Sequence, residues 1–296
     1  MIMKRLTILF SMLLLALTAC KNNDFDTEYE PVKPKYVDTI TRADGATLTL
    51  GYDSDMRVNS VTWTDATESR HYDIVYNLDT TTNTATFDIL HNGKKYTMNF
   101  NEYGALKSYV LNGDVPQVLS TFTYYNSITP LGAFRLELIG MVDKLTGGEV
   151  RRIDWQGGTP MMQISEIVKV EDGNNCTYST SVRYGYQAYR SNIHANVNLF
   201  NLMTPEYLEH SNLPMELRVA VSAFGSRSYY LPTDVTVVNG RMPAGDNYEK
   251  LSEVEREYTY DTDSEGYILK IYTGKDDDNT KELLYEITYL NVATEK

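Results

Sequence analysis

Apolar and polar residues alternate along most of this chain with a period of two. Leu48, Leu50 and Tyr52 alternate with Thr47, Thr49 and Gly51. Ala85, Phe87 and Ile89 alternate with Thr84, Thr86 and Asp88, and Tyr96, Met98 and Phe100 with Lys95, Thr97 and Asn99. Near the C-terminus Leu283, Tyr285, Ile287 and Tyr289 repeat the pattern against Glu286 and Thr288. Side chains of a strand point to opposite faces in turn, so this period predicts antiparallel strands with one face buried and one wet. Between the runs lie turn signals. Asn92-Gly93 is the strongest, because a two-residue hairpin needs positive φ at both central positions. Asp44-Gly45, Asn112-Gly113, Asp172-Gly173 and Asn239-Gly240 are further hairpin candidates.

Three stretches share a layout of alternation, acidic or amide corner, and alternation again. They are "LTLGYDSDMRVNSVTW" from Leu48, "REYTYDTDSEGYILKIY" from Arg256 and the looser "YTMNFNEYGALKSYV" from Tyr96. Asp and Ser side chains bond local backbone and relieve tight turns, so "YDSDMR" and "YDTDSEG" read as hairpin corners. Helix signals are few. "TPEYLEH" offers Thr204 as an N-cap and Pro205 at the first helical position. "LGAFRLELIGMVDKL" (131–145) fits both periods, and Gly140 with the following Thr146-Gly147-Gly148 favours a strand and loop.

The ends carry a different message. Lys4 and Arg5 precede the apolar run Leu6 to Thr18, which is too short for a permanent bilayer span and has the form of a signal-peptide core. It stops at "LTAC", which resembles the lipobox of bacterial lipoproteins. That resemblance implies cleavage of residues 1–19, acylation of Cys20 (palmitate or a similar chain) and a membrane anchor at the N-terminus. Residues 20–40, with Asp24, Asp26, Glu28, Pro31 and Pro34, read as a polar tether. Acidic residues there partly resemble a Bacteroidetes surface-export signal, which implies an outer-membrane, outward-facing protein. Residues 41–296 are expected to form a single antiparallel β domain, with 41–150 and 151–296 as candidate halves.

Loss of Lys4 and Arg5 deepens the net charge from −13 to −15, 25 basic against 40 acidic residues. Such a chain repels nucleic acid and anionic membrane surfaces. Cys176 is left without an intrachain partner, so stability must come from an ordinary core.

The order of blocks "WQGGTPMMQISEI", "YSTSVRYGYQAYRSNIHANVNLFNL", "FGSRSYYLPTDV" and "REYTYDTDSEGYILKI" spans Trp155 to Ile271. It is similar to Bacteroidetes lipoproteins of unknown function described as having a porin-like β fold. The YD-type hairpins also resemble the tyrosine-aspartate repeats of large bacterial surface proteins. The resemblance implies an all-β protein, a large curved antiparallel meander that is partly barrel-like, with one or two short helices. It brings no catalytic residues.

Candidate chemistry is sparse. Asp261, Asp263 and Glu265, followed by Gly266, have the spacing that opens an EF-hand calcium loop. The twelfth position is Tyr272 rather than a bidentate Glu, so an Asx-stabilised hairpin is the better reading and no metal is expected. "KDDDN" from Lys275 reads as a solvated turn. His71, His91, His194 and His210 show no zinc-ligand spacing, with His194 read as part of a "NIHANVN" strand. Cys176 has no nucleophile signature, and GxSxG, P-loop and dinucleotide-binding motifs are missing. No cofactor is expected. Tyrosine is the informative excess, 24 against 8 Phe and 2 Trp. Tyr184, Tyr186, Tyr189 and Trp155 could form a platform for a sugar or peptide, or pack across strands, and the alternation favours packing.

The sequence thus points to a lipid-anchored envelope protein, not an enzyme, that binds a glycan or envelope component. The alternatives are a carrier of an apolar ligand in a half-open barrel and a carboxylate-dependent glycan-active enzyme, whose paired carboxylates sequence cannot locate.

Overall fold

The computed structural model describes residues 35–290 apart from 80–83, 102, 104, 129–133, 157, 172, 187–189, 192–194, 208, 222–227, 246 and 275–280. Cys20, Tyr189, His194 and the Lys275–Asn279 turn lie outside the described residues.

The alternating runs become strands. β1 (Val37–Arg42), β2 (Thr47–Tyr52), β3 (Val58–Thr64), β4 (Ser69–Asp79), β5 (Thr84–His91) and β6 (Lys94–Phe100) follow one another as hairpins. β7 (Leu106–Leu111), β8 (Gln117–Ile128), β9 (Phe134–Asp143), β10 (Glu149–Gln156), β11 (Thr159–Glu171) and β12 (Asn174–Gly185) continue the meander. The ambiguous 131–145 segment is strand β9. After β12 the chain leaves the wall. Its inserted segment includes a minimal ribbon of β13 (Arg190–Ser191) and β14 (Tyr230–Leu231). The wall resumes with β15 (Asp234–Pro243), β16 (Glu249–Thr262), β17 (Ile268–Thr273) and β18 (Glu282–Tyr289).

Sixteen of these strands form a closed barrel, sealed where β1 pairs antiparallel with β18. The expected curved meander therefore closes completely. Strands alternate in direction, so the turns divide between two rims. The start of β1, the inserted segment and the end of β18 share one rim, here the proximal rim. The distal rim carries the Asp44-Gly45 and Asn92-Gly93 turns. β1 begins at Val37, inside the 20–40 stretch expected to be tether.

Alternation decides what faces inward. Ile40, Leu48, Val61, Ile89, Met98 and Ile271 are buried inside the ring. Thr62, Asp73, Asp88 and Lys95, at the alternate positions of their strands, face out. Asn92 (φ 48) and Gly93 (φ 70) adopt the two left-handed conformations that their hairpin demands. Asn239-Gly240, expected as a turn, lies inside β15 at a register shift. Tyr248 lies so close over Gly240 that a Cβ there would meet its ring.

The three repeated corners share one geometry on the proximal rim. The Asp53 carboxylate accepts from the amides of Asp55 and Arg57, each at 2.9 Å. The Asn101 amide oxygen accepts from Tyr103 and Ala105, each at 3.0 Å. Asp263 accepts from Glu265 and Tyr267 at 2.9 and 3.0 Å. The structural repeat is therefore an Asx corner, D/N-x-x-x-x, and Asp263 rather than Asp261 is the counterpart of Asp53. Gly266 supplies a positive φ of 86° in the third corner, where Met56 must adopt 59° in the first.

Replacing Asp53 by Ala should cost about 1–2 kcal/mol, because two backbone donors lose their acceptor. Met56→Gly should instead stabilise by up to about 1 kcal/mol by removing left-handed strain. Denaturant unfolding of the two variants measures both, and a Met56→Gly variant that is less stable than the parent would contradict the strain argument.

Candidate functional site

A barrel of this kind offers two places for function, its lumen and its outer wall. The lumen is filled by the protein itself. The inserted segment between Gly185 and Asp234 runs up from the proximal rim and returns. It contains the helical turn Phe200–Met203, a 3-10 turn Glu209–Ser211 and the helix Met215–Ala220. Its apolar residues Leu199, Phe200, Met203 and Leu217 are buried in the same core as the inward wall residues. Phe200 sits between Tyr184 and Tyr207, with ring centroids 5.2 Å from each.

An irregular segment buried this deeply leaves backbone groups that need partners. The wall supplies them. Tyr258 donates to the Met203 carbonyl at 2.8 Å, Gln163 to the Glu206 carbonyl at 2.9 Å, and Ser120 to the Ser211 carbonyl at 2.6 Å. Asn212 reaches the distal rim, where its amide donates to Ser120 and Asp143, each at 2.9 Å. Charges dock too. The Arg256 guanidinium holds the Glu206 carboxylate through two nitrogens, at 3.0 and 2.5 Å. Buried Glu216 accepts from the Tyr72 hydroxyl at 2.8 Å and pairs with Arg70 at 3.0 Å. Burial pulls the Arg218 guanidinium down to about 10, against the opposing pull of Glu209, Glu216 and Glu206. Desolvation, reinforced by the like charge of Glu206, pushes the Glu209 carboxyl up to about 7.

The structure disperses the candidate residues. Tyr184 is buried among the luminal aromatics, and burial raises its hydroxyl well above the ordinary range. Tyr186 donates to the Pro160 carbonyl at 2.6 Å and Trp155 to the Leu138 carbonyl at 2.8 Å. Tyr184 packs in the core and Tyr186 and Trp155 cap the backbone; the three do not form an exposed shelf. The acidic triplet does not converge either. Asp261 sits on β16 and accepts from Tyr272 at 2.6 Å, while Asp263 and Glu265 hold the Lys35 ammonium at 2.8 and 2.6 Å. Among the described residues no group of three His, Cys, Asp or Glu side chains is placed to hold a metal ion. Cys176 is buried in β12. Nor is "TPEYLEH" an α-helix. Thr204 instead closes the preceding helical turn, its hydroxyl donating to the Phe200 carbonyl at 2.7 Å. Of the expected "NIHANVN" strand, Ala195 makes an isolated bridge and residues 196–198 form no strand, while residues 192–194 lie outside the described residues.

The outer wall carries polar clusters among scattered exposed apolar residues such as Val75 and Val168. Asp88 accepts from Asn77 at 2.7 Å and Thr97 at 2.6 Å, and pairs with Lys95 at 2.8 Å. Asn112 extends the ladder by donating to Thr97 at 2.7 Å. Further along, His71 bridges Thr62 and Asp73. On the far side Arg151 pairs with Glu166 at 2.7 Å, and Lys270 with Glu286 at 3.7 Å. Sequence reasoning read these residues only as the wet face; their cross-strand alignment needed the register.

Comparison with solved structures finds a porin-like protein from Bacteroides uniformis. It is 17% identical, with a TM-score of 0.52, and the match covers 88% of this chain and 99% of that one. At that identity the likeness concerns the fold. No family model and no curated protein matches the chain.

Truncating the filling should cost far more than trimming the wall. Phe200→Ala should destabilise by about 3–5 kcal/mol by opening a cavity. Val75→Ala, on the outer face, should stay within about 0.5 kcal/mol. Chemical denaturation of the two variants side by side tests the contrast.

A pH effect should follow from Glu209. A carboxyl harder to ionise folded than unfolded favours the native state while protonated. That contribution is complete below the ordinary value of 4.5 and is lost as pH rises through about 7. Its side chain keeps 32% of its exposure, so the slope should be shallow. Glu209→Gln should flatten it, as read by thermal midpoints between those limits.

Proposed function

We propose that this protein is a non-catalytic binding module of the cell envelope, anchored by lipid at Cys20 and engaging glycan through the outer wall of its barrel. One observation carries the reading: the barrel is greasy within, while its outer face mixes charged and hydrogen-bonding groups with scattered exposed apolar residues such as Val75, Leu90 and Val168. A spanning barrel shows the reverse, an apolar outward band around a polar lumen. Charged side chains on the outer wall, Asp88 in mid-strand and Lys95 and Arg151 nearer the distal rim, are costly against lipid and at home in water. The filled lumen also disfavours a carrier, because the concave face that would hold an apolar ligand is covered by Phe200, Leu199 and Leu217.

What remains available to a ligand is the wall. The Asn77–Asp88–Thr97–Asn112 ladder offers short amide, carboxylate and hydroxyl groups on a flat surface. That chemistry matches the hydroxyl-rich face of a sugar, where each direct hydrogen bond adds modestly to affinity. The upstream residues, with the lipobox-like "LTAC", place such a wall at the membrane surface in this reading.

A glycan array probed with protein lacking residues 1–20 should return hits, with no change in the bound sugars on product analysis. Combined Asn77→Ala and Asn112→Ala substitution should weaken any hit about tenfold with little effect on folding. Silence on the array would reject the sugar ligand, released products would convert the module into an enzyme, and steady conductance across planar bilayers would reject the filled-barrel reading.

A further inference from the structure

The first described residues of the chain do more than begin a strand. Lys35 lies in a three-sided cage on the proximal rim. Its ammonium donates to Asp263 at 2.8 Å, pairs with Glu265 at 2.6 Å and stands 4.2 Å above the centre of the Tyr267 ring. Its backbone forms a parallel bridge with Ala195, and the Asn196 amide donates to the Lys35 carbonyl at 3.2 Å. Ala195 and Asn196 are where the inserted segment turns into the lumen, since Ala195 and Val197 are already buried.

The Asn196 side chain completes the junction. Its oxygen accepts from the Val37 amide at 2.8 Å, and its nitrogen donates to the Tyr52 hydroxyl at 2.9 Å. That hydroxyl donates in turn to the Val37 carbonyl at 2.5 Å. Three parts of the chain far apart in sequence are thus clasped at one point: the N-terminal arm, the corner after β16 and the mouth of the insertion.

We propose that the N-terminal arm is a latch on the luminal insertion. Displacing the residues before Val37 opens the Lys35 cage and frees Ala195 from Lys35, and the first limb of the insertion loosens while Val37 stays paired in β1 and the barrel wall stays closed. Other contacts of the insertion, among them Tyr258 to the Met203 carbonyl, Arg256 to Glu206, Ser120 to the Ser211 carbonyl and Tyr72 to Glu216, do not pass through the arm. Because the arm leads upstream to Cys20, any pull or docking on residues before Lys35 reaches the lumen through this clasp. The chemistry is that of a strap: a caged cation and one amide side chain, both at the protein surface and both breakable without opening the core.

Hydrogen exchange on the full chain tests it. Lys35→Met keeps the aliphatic reach over Tyr267 and removes the charge, and Asn196→Ala removes the second fastening. In the double variant the amides of Ala195–Met203 should exchange about five- to tenfold faster. Those of β9 and β10 should keep their parental rates. Lys35→Arg should preserve the parental pattern. Unchanged exchange across Ala195–Met203 would overturn the latch, and so would an equal acceleration in β9 and β10, which would make the junction part of the global core. Lys35→Met alone, which leaves every buried contact in place, separates these results from simple misfolding.

Discussion

The interior of a sixteen-strand ring cannot be filled from its walls alone. Rings of this size in channel proteins leave water at the centre, and their inward side chains are polar to suit. Here the inward positions are Ile40, Leu48, Ile89 and their like, which water would expose at a cost proportional to area. The inserted segment resolves the conflict by bringing Phe200, Leu217 and their neighbours to the axis. That solution creates a second demand, because the segment's irregular backbone must be hydrogen-bonded away from solvent. The buried polar positions of the wall, Ser120, Gln163 and the Tyr258 hydroxyl, answer it. Their exception to the apolar rule is therefore part of the same packing problem.

The tyrosine excess has a similar origin. Tyr52, Tyr76, Tyr186, Tyr258 and Tyr289 each place a ring against the core and send the hydroxyl to a backbone carbonyl. Phe would fill the same space and leave those carbonyls with one acceptor site fewer satisfied. The choice between an aromatic platform and strand packing thus falls to packing for Tyr184, Tyr186 and Trp155.

Much of the wall was legible because strand alternation is local. β2, β5, β6 and β18 could be read from their own residues, and Asn92-Gly93 announced its hairpin. Closure was not legible, since Val37–Arg42 meets Glu282–Tyr289 across almost the whole chain. The insertion was hidden for another reason. It must be apolar on several sides at once, so it shows no period, and "TPEYLEH" imitated a helix cap where Thr204 in fact ends a turn. The corner register slipped by two residues because Tyr260-Asp261 copies Tyr52-Asp53, while the bonds to backbone belong to Asp263. As for the candidate site, residue types marked the wet face, but only pairing across strands brought Asn77, Asp88, Thr97 and Asn112 together. Likeness to a porin-like barrel concerns the architecture, and a shared architecture says little about use.

Almost every ladder in the wall joins neighbours in the chain, so each can zip as soon as its two strands exist. The seam between β1 and β18 is different, as is the junction of β12 with β15 across the insertion. An unsealed ring would present two long unpaired edges, ready templates for another molecule. It would also expose a greasy trough. Once seated, the insertion covers that trough, and a chain that seals late is most at risk of pairing with its neighbours while it waits.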